Sequence, residues 1–417
     1  MPIRKITLSR KRVVLLLLGL FWGGCLGVLA VVEFWPSAGA QMANVLRNLF
    51  GPRVVAQLET VVFQVQDTVR QWQYQTGVKQ AEAPWGNTTP TEFAPTQPTA
   101  TASLPTGTPS PTPTHPIAPS SPIPTQTPSP TPTLTPTPYI WNLSPLPPLG
   151  SLEGEGLWQP YLFDQNGQMV AARTFLQPDP DRPYAIVAVV AFDLTQTDLH
   201  FVLGFSDPGL PDGPKGDGLI PEADRSGNLL AAFNGGFRTA NGMFGAMSNG
   251  IVALPPLPGM ATVGIYQNGE VRIGSWGDEI TESPTLLAWR QNCPLVVQDG
   301  EISSRVYNDS IVDWGGTISN QIVTRRSGMG LDQEAKTLFY FAGPSLSMPA
   351  LADAMLTAGV YDGMLLDINH FWVHFTAISP GETGLIADPL LPEDMIDHVD
   401  RYLNPSPVDF FYVTLQD

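Results

Sequence analysis

Apolar and polar positions follow different patterns in different parts of the chain. Beyond residue 150, short runs rich in Val, Ile and Phe are separated by turn residues, which is typical of β-strands joined by short connections. This pattern predicts strands at residues 185–194, 199–204, 229–233 and 336–342. Asn268-Gly269 and Asp299-Gly300 are residue pairs that tight hairpin turns favour, so each pair predicts a hairpin.

One helix is predicted in this part of the chain, at residues 349–357. Ser347 can cap its first turn, Pro349 fits its start, and Gly359 ends it. Because strands outnumber helices and many connections are short, the predicted fold class is α+β, with a mixed, largely antiparallel sheet and few helices. The predicted domain covers residues 151–417, which is long enough to build its own core.

Residues 13–32 form a run of twenty residues without a charge. At about 1.5 Å per residue, a helix of this length spans a bilayer core of about 30 Å. Five basic residues lie within residues 1–12 and Glu33 follows the run, so the positive-inside rule leaves the N-terminus in the cytoplasm and exports the rest to the cell surface. The run is therefore predicted to be an uncleaved single-pass anchor. A cleaved signal peptide is the alternative, because Ala38-Gly39-Ala40 has a small-x-small pattern.

Apolar residues also recur at helical spacing after this run. They are Leu46, Val54, Leu58, Val61, Val62, Val65, Val69 and Trp72. Spacings of three, four and seven or eight predict an amphipathic juxtamembrane helix within residues 33–80. The pattern leaves its partner open: the membrane, another subunit, the distal domain, or no specific partner. The oligomeric state is likewise not predicted.

Residues 81–150 contain twenty prolines and no Lys or Arg. Such a segment cannot bury enough apolar surface to offset the entropy of ordering it. Alternating Pro and Thr favour an extended polyproline conformation. This segment is predicted to be a disordered linker that holds the domain away from the membrane.

Charge and cysteine content exclude several classes of function. The chain carries a formal net charge of −17, and residues 151–417 hold 33 Asp and Glu against 12 Lys and Arg. A domain this acidic repels phosphate backbones, so no nucleic-acid partner is predicted. The two cysteines, Cys25 and Cys293, exclude a disulfide within the domain and a C-x-x-C metal site.

The first candidate for chemistry is the strand end at Asn234-Gly235-Gly236. Glycines at this exit leave backbone amides unshielded and allow close approach of a ligand. An ordinary turn is the alternative. Residues 293–303 indicate a plain hairpin. In residues 322–333, adjacent arginines follow an apolar strand start, where a guanidinium can bind an oxyanion or simply remain solvated.

Residues 363–375 read GMLLDINHFWVHF and place Asp367, His370 and His374 after an apolar strand start. Two histidines four apart on a helix can share zinc. Here the sequence favours a strand, on which they would be about 13 Å apart. No metal and no other cofactor is predicted. The neighbouring aromatic residues can stack on a sugar or pack in the core.

Taken together and in this order, these stretches resemble the phosphodiester glycosidase family, which includes an enzyme that removes N-acetylglucosamine from a sugar phosphodiester. The resemblance covers roughly residues 229–375. The matching segments are Asn234-Gly235-Gly236-Phe237, Pro294-Leu295 with Gly300, Arg326-Ser327-Gly328-Met329-Gly330, and Leu366-Asp367.

The chain departs from the family pattern directly after Asp367. Where the family has Gly-Gly-Gly-Ser, this chain has Ile368-Asn369-His370-Phe371, so a glycine-lined pocket floor is not carried over. Two alternatives follow. Either Asn369 and His370 recognise a different substrate in a divergent subgroup, or the site has no catalytic activity.

The resemblance implies a hydrolase that cleaves a glycosyl-1-phosphate linkage in surface glycans, with a carbohydrate or sugar-phosphate substrate. A phosphate monoester leaves with little protonation, because its second pKa is about 6. One carboxylate and one cation can therefore suffice: Asp367 as nucleophile or base, Arg326 on the phosphate, and His370 as an acid–base partner. The implied substrate-binding residues are Asn234, Gly235, Gly236, Phe237 and Asn369. The alternative is an inactive glycan-binding module on the same fold.

Overall fold

A computed structural model of the chain describes residues 52–85, 141–308, 313–315, 319–382 and 384–416. The predicted basic segment at residues 1–12, the transmembrane helix at 13–32 and most of the linker, 86–140, lie outside these described residues. Among the helices of the described ranges, none combines the length and apolar character that a bilayer-spanning helix needs.

Helices make up a small part of the described residues. The α-helices are α1 (Pro52–Gln75), α2 (Glu222–Arg225) and α3 (Met348–Thr357). Short 3₁₀ turns occupy Thr239–Asn241, Ser304–Tyr307 and Arg401–Leu403. α3 is the helix predicted at residues 349–357. Its N-cap is Ser347, whose Oγ accepts a hydrogen bond from the N–H of Ala350 at 3.2 Å.

Strands dominate the fold, as the sequence predicts. In chain order they are β1 (Gln159–Phe163), β2 (Met169–Leu176), β3 (Val187–Asp193), β4 (Thr197–Val202), β5 (Leu229–Asn234), β6 (Ala246–Ser248), β7 (Ile251–Leu254), β8 (Ala261–Tyr266), β9 (Val271–Ser275), β10 (Leu286–Gln291), β11 (Val297–Gln298), β12 (Glu301–Ile302), β13 (Thr324–Leu331), β14 (Thr337–Leu346), β15 (Asp362–Leu365), β16 (Phe375–Pro380), β17 (Leu385–Pro389) and β18 (Phe410–Leu415).

The described strands form three sheets, and neighbouring strands in each are antiparallel. The first sheet has the order β1-β2-β3-β14-β13-β15-β11-β12, the second β7-β6-β10-β8-β9, and the third β17-β16-β5-β18-β4. The α+β class with few helices is confirmed. Asn268-Gly269 joins β8 to β9, and Asp299-Gly300 joins β11 to β12, at the positions where hairpins are predicted.

One aromatic core joins the first and third sheets. β5, in the middle of the third sheet, is buried along its whole length, as are β3 and β13 in the first. The ring of Phe233 on β5 lies 4.8 Å from that of Tyr340 on β14 and 6.0 Å from that of Phe375 on β16. Because this core fixes the two sheets against each other, it also fixes where β5 and β15 end.

The compact unit is larger than the predicted domain. Residues 144–150 and 81–85, both predicted as linker, belong to it. The indole N–H of Trp158 donates to the carbonyl of Ser144 at 3.0 Å, and that of Trp85 donates to the carbonyl of Leu390. These two hydrogen bonds attach both segments that flank residues 86–140 to the compact unit. α1 belongs to the same unit.

Candidate active site

β5 ends at Asn234, in the third sheet, where β16 and β18 are its neighbouring strands. The next two residues leave the sheet and pass directly over Asp409. The N–H of Gly236 donates to Asp409 Oδ2 at 3.2 Å, and the N–H of Gly235 donates to the Asp409 carbonyl at 3.2 Å. A Cβ at Gly235 would lie 2.1 Å from Asp409 Oδ2, so only glycine allows this approach.

The side chain of Asn234 is buried and fully hydrogen-bonded. Its Oδ1 accepts from the Tyr340 hydroxyl at 2.9 Å and from the N–H of His374 at 3.3 Å. Its Nδ2 donates to Ser327 Oγ and to the Gly235 carbonyl, both at 2.9 Å. Since an amide offers two donors and two acceptor positions, this one has no capacity left for a substrate. Asn234 therefore positions the strand end, and the substrate-orienting role implied by the resemblance does not fit its amide.

Asp367 lies two residues after the end of β15 and is 4% exposed. Its Oδ1 accepts hydrogen bonds from the N–H groups of Ile368 at 2.6 Å and Asn369 at 2.9 Å. No described residue donates to its Oδ2. Burial raises the pKa of this carboxyl to about 7; the two N–H donors oppose that shift, and the charge of Asp409 adds to it.

Asp409 and Arg290 form a buried ion pair behind the glycines, with 2.7 Å between Nε and Oδ2. Arg290 also donates from Nη2 to the Phe237 carbonyl at 2.6 Å and from Nη1 to the Gln291 carbonyl at 2.7 Å. The pair thus holds both ends of the Gly235-Gly236 segment. Sequence reasoning missed both residues, because neither Arg290 in β10 nor Asp409 directly before β18 belongs to a recognisable motif, and the two are far apart in the chain.

These groups meet at one small cleft. It is lined by Asn234, Gly235, Gly236, Arg238, Asp367, Trp372, Val408 and Asp409. The free space between them is about 10 Å³, about the volume that one water molecule needs. Asp367 and the Asn234-Gly235-Gly236 strand end therefore line the same cleft.

Arg238 supplies the cation of the cleft. Its side chain is 35% exposed, and its Nε lies 3.3 Å from Asp207 Oδ2. Its guanidinium carbon is 5.9 Å from the centre of the Trp372 ring, so the two side chains share the rim. Arg238 directly follows the Asn-Gly-Gly-Phe motif in the sequence, and that position is the signal from which it could have been found.

Arg326 does not lie in this cleft, which corrects the phosphate-binding role implied for it. Its side chain is fully buried. Its guanidinium donates to three backbone carbonyls, those of Leu346 at 2.9 Å, Trp314 at 3.2 Å and Ile322 at 3.1 Å. With its donors bound in this way, Arg326 connects the end of β14 to the segment that precedes β13 and lies away from the residues that line the cleft.

The other implied site residues are not among those that line the cleft. Phe237 is buried, and its carbonyl accepts the Arg290 hydrogen bond. Asn369 Oδ1 accepts from the N–H of Phe371 at 2.9 Å, forming a turn where a strand is predicted; β16 begins only at Phe375. The strand prediction was wrong there because the side chain of Asn369 offers the backbone a turn.

The two histidines of this stretch have different surroundings. The side chain of His370 is exposed at the surface. Desolvation of its ring by the surrounding protein, together with the charges of Arg325 and Arg70, lowers the pKa of the ring. The imidazole is therefore neutral at pH 7. His374 is 1% exposed, and its Nε2 lies 3.0 Å from Thr376 Oγ1. Burial lowers the pKa of His374 to about 2, so its ring is a neutral part of the core.

Comparisons with known proteins find similarity only to solved structures. No family model matches the chain, and no curated protein matches it. A zebrafish N-acetylglucosamine-1-phosphodiester alpha-N-acetylglucosaminidase catalytic domain, auto-inhibited by its pro-peptide, is 14% identical over 62% of this chain and 88% of that chain, with a TM-score of 0.36.

Two further solved structures are similar at comparable levels. A hypothetical protein from Synechocystis is 10% identical over 62% of this chain and 64% of that chain, with a TM-score of 0.37. A putative exported protein from Burkholderia pseudomallei is 10% identical over 56% of this chain and 74% of that chain, with a TM-score of 0.27.

Proposed function

We propose that this protein is a hydrolase that cleaves a glycosyl-1-phosphate linkage in a sugar phosphodiester. One observation carries the proposal. Asp367 is a buried carboxylate whose Oδ2 accepts no hydrogen bond from any described residue, and it faces the glycine-lined strand end at Gly235-Gly236, although the two lie far apart in the sequence. A cation, Arg238, lies at the same cleft. A carboxylate beside a cation is what hydrolysis of a glycosyl phosphate needs.

Asp367 acts as the base. Its pKa of about 7 makes it a stronger base than an ordinary aspartate while leaving a large fraction ionised at neutral pH. A water in the cleft gives its proton to Oδ2 as its oxygen attacks the anomeric carbon. The bond between that carbon and the phosphate oxygen breaks, and the phosphate monoester leaves with the electron pair. Because the second pKa of this leaving group is about 6, it needs no proton donor.

Arg238 takes the phosphate-binding role that the resemblance implies for Arg326. Its partly exposed guanidinium can bind a phosphate oxygen while its Nε remains on Asp207. Trp372 offers a ring beside it for the sugar. The cleft itself has room for about one water, so the sugar and phosphate lie against this rim, with the anomeric carbon over the opening.

The test uses the purified full chain in detergent and a panel of hexose 1-phosphodiesters. Released reducing sugar is measured, with aryl glycosides of the same sugars as the comparison. The proposal predicts release of sugar and of a phosphate monoester from at least one diester. It also predicts much slower release from the aryl glycosides, because they lack the phosphate that Arg238 is proposed to bind. Absence of sugar release from every diester would refute it.

We further propose that residues 13–32 anchor the chain and that the domain lies outside the cell, where surface glycans are its substrate. The charge asymmetry around the apolar run supports this arrangement. A protease added to intact cells should then remove the domain and leave the N-terminal segment protected. Protection of the domain under these conditions would contradict the proposed topology.

A glycan-binding module without catalysis is the second candidate. Ile368, Asn369 and His370 stand where the resembling family has glycines, and the free space of about 10 Å³ is small. This candidate predicts that the full chain binds a glycan with equal affinity in the wild type and in Asp367→Asn, with no turnover in either. Turnover by the wild type alone favours the hydrolase.

A further inference from the structure

α1 docks on the domain through its polar residues. Asp67 accepts hydrogen bonds from Arg182 Nε at 3.0 Å and Nη2 at 2.9 Å. Arg70 donates to Ser345 Oγ, and Thr60 is 1% exposed. These residues recur at helical spacing on one face, so the position of α1 against the domain is fixed by hydrogen bonds and an ion pair.

The opposite face of α1 is apolar and open. Val61 is 56% exposed, Val65 41%, Val69 48% and Trp72 59%. Spacings of four, four and three place these residues, the outer stripe, along one line of the helix. A surface helix normally turns its apolar line inward, whereas α1 leaves this apolar line exposed and packs Tyr74 against Tyr184 on its inward side. Each Å² of apolar surface left in water costs about 25 cal/mol, so this arrangement favours a partner on the outer stripe.

We propose that a second copy of this chain covers the outer stripe, so that two α1 helices pair in parallel. The chain that precedes α1 supports this occupant. Within the apolar run at residues 13–32, glycines recur every four residues, at Gly19, Gly23 and Gly27. This spacing allows two helices to approach closely within a bilayer. Pairing there would bring two α1 helices together in the same orientation at high effective concentration.

The charge of α1 argues against the lipid surface as the occupant. Residues 52–75 contain two arginines, Arg53 and Arg70, against Glu59 and Asp67, so the helix has no excess of positive charge. Helices that lie on a membrane surface normally carry many Lys or Arg on the polar face. One of the two arginines, Arg70, is also bound to Ser345 of the domain. A valine-rich stripe without flanking cations fits another copy of itself better than it fits anionic lipid.

Cysteine cross-linking of the full chain tests the pairing. Cys25 is replaced by Ser, while Cys293 stays, because it is 1% exposed. Val65→Cys places a thiol on the outer stripe; Gln64→Cys is the matched control, about 100° around the helix. Membranes of expressing cells are treated with an oxidant and run without reductant. The proposal predicts a band at twice the chain mass for Val65→Cys, several-fold stronger than for Gln64→Cys. Equal bands, or none, would overturn it.

A second pair of variants shows whether the stripe itself provides the contact. Val65→Glu puts two like charges opposite each other in a parallel pair, whereas Gln64→Glu leaves them apart. In the Cys25→Ser, Val69→Cys chain, the proposal predicts that Val65→Glu lowers the oxidised band at twice the chain mass several-fold, while Gln64→Glu leaves it unchanged. An unchanged band in Val65→Glu would overturn it. So would a Val65→Cys thiol that stays uncross-linked yet is shielded from a water-soluble maleimide by the bilayer, because lipid would then be the occupant.

Discussion

Arg290 and Asp409 form an ion pair with 2.7 Å between Nε and Oδ2, and their side chains are 0% and 2% exposed. The same Asp409 oxygen accepts the N–H of Gly236, and Arg290 holds the Phe237 carbonyl. A pair of charges without access to water is stable only with such good geometry and added hydrogen bonds. This pair therefore fixes the glycine segment across the cleft from Asp367.

Breaking this ion pair should destabilise the protein strongly. Asp409→Asn leaves the Arg290 guanidinium buried without a counter-charge, and such a change costs about 3–5 kcal/mol of unfolding free energy. Urea unfolding of the purified full chain measures it. The matched control is Glu270→Gln, which removes the exposed pair with Arg272 and should cost less than about 1 kcal/mol. Similar losses of unfolding free energy in the two variants would show that the buried pair stabilises the protein no more than the exposed pair does.

Arg238 and Arg326 should respond differently to the same replacement. Arg238→Gln removes the cation from the rim, so KM for a sugar phosphodiester should rise about tenfold or more, with little change in stability. Arg326→Gln leaves buried carbonyls without donors and should cost about 2–5 kcal/mol in unfolding free energy. Steady-state kinetics and urea unfolding on both variants separate these effects. A rise in KM at undiminished stability for Arg326→Gln would restore its implied phosphate role.

The raised pKa of Asp367 should make stability depend on pH. Between about pH 4 and pH 7 the folded state keeps a proton on Asp367 that the unfolded state has lost, so stability falls as pH rises, by up to about 1.4 kcal/mol per unit, and levels off above. Asp367→Asn keeps the Oδ1 acceptor and removes this titration. It should be more stable than the wild type at pH 8 and nearly equal to it at pH 4. If Asp367→Asn and the wild type differ in unfolding free energy by the same amount at both pH values, the raised pKa of Asp367 is contradicted.

Activity should show the opposite dependence on pH. As the base, Asp367 works only when ionised, so kcat/KM should rise with pH, be half-maximal near pH 7 and reach a plateau above it. A pH series on one diester substrate gives the profile. Activity that stays constant from pH 5 to pH 9, or falls as pH rises through 7, would exclude Asp367 as the base.

Much of the fold follows from local patterns in the sequence. The strands at β3, β4, β5 and β14, the two hairpins and α3 are found close to where apolar runs, Asn-Gly or Asp-Gly turns and the Ser347 cap predict them. The strand predicted through residues 371–375 is missing because Asn369 turns the backbone there. The partition into three sheets could not be predicted, since it depends on contacts between distant strands.

The candidate site could be predicted only in part. Asp367 and the glycines were found because a strand that ends in a polar or glycine motif leaves a local signal. Asp409 and Arg290 leave no local signal in the sequence, because their role depends on the ion pair that they form across the fold. For Arg326 the local sequence signal is misleading. Its local surroundings indicate an exposed guanidinium, but three backbone carbonyls bind its side chain within the core.

Turnover of a sugar 1-phosphodiester by the Asp367→Asn full chain tests the central claim most directly. The matched control is Asp362→Asn, at the start of the same strand, β15, and outside the cleft. With folding verified by near-ultraviolet circular dichroism, the account predicts that kcat falls about 10²–10⁴-fold in Asp367→Asn and stays within about twofold of the wild type in Asp362→Asn. Wild-type turnover in Asp367→Asn, or equal losses in both variants, would contradict it.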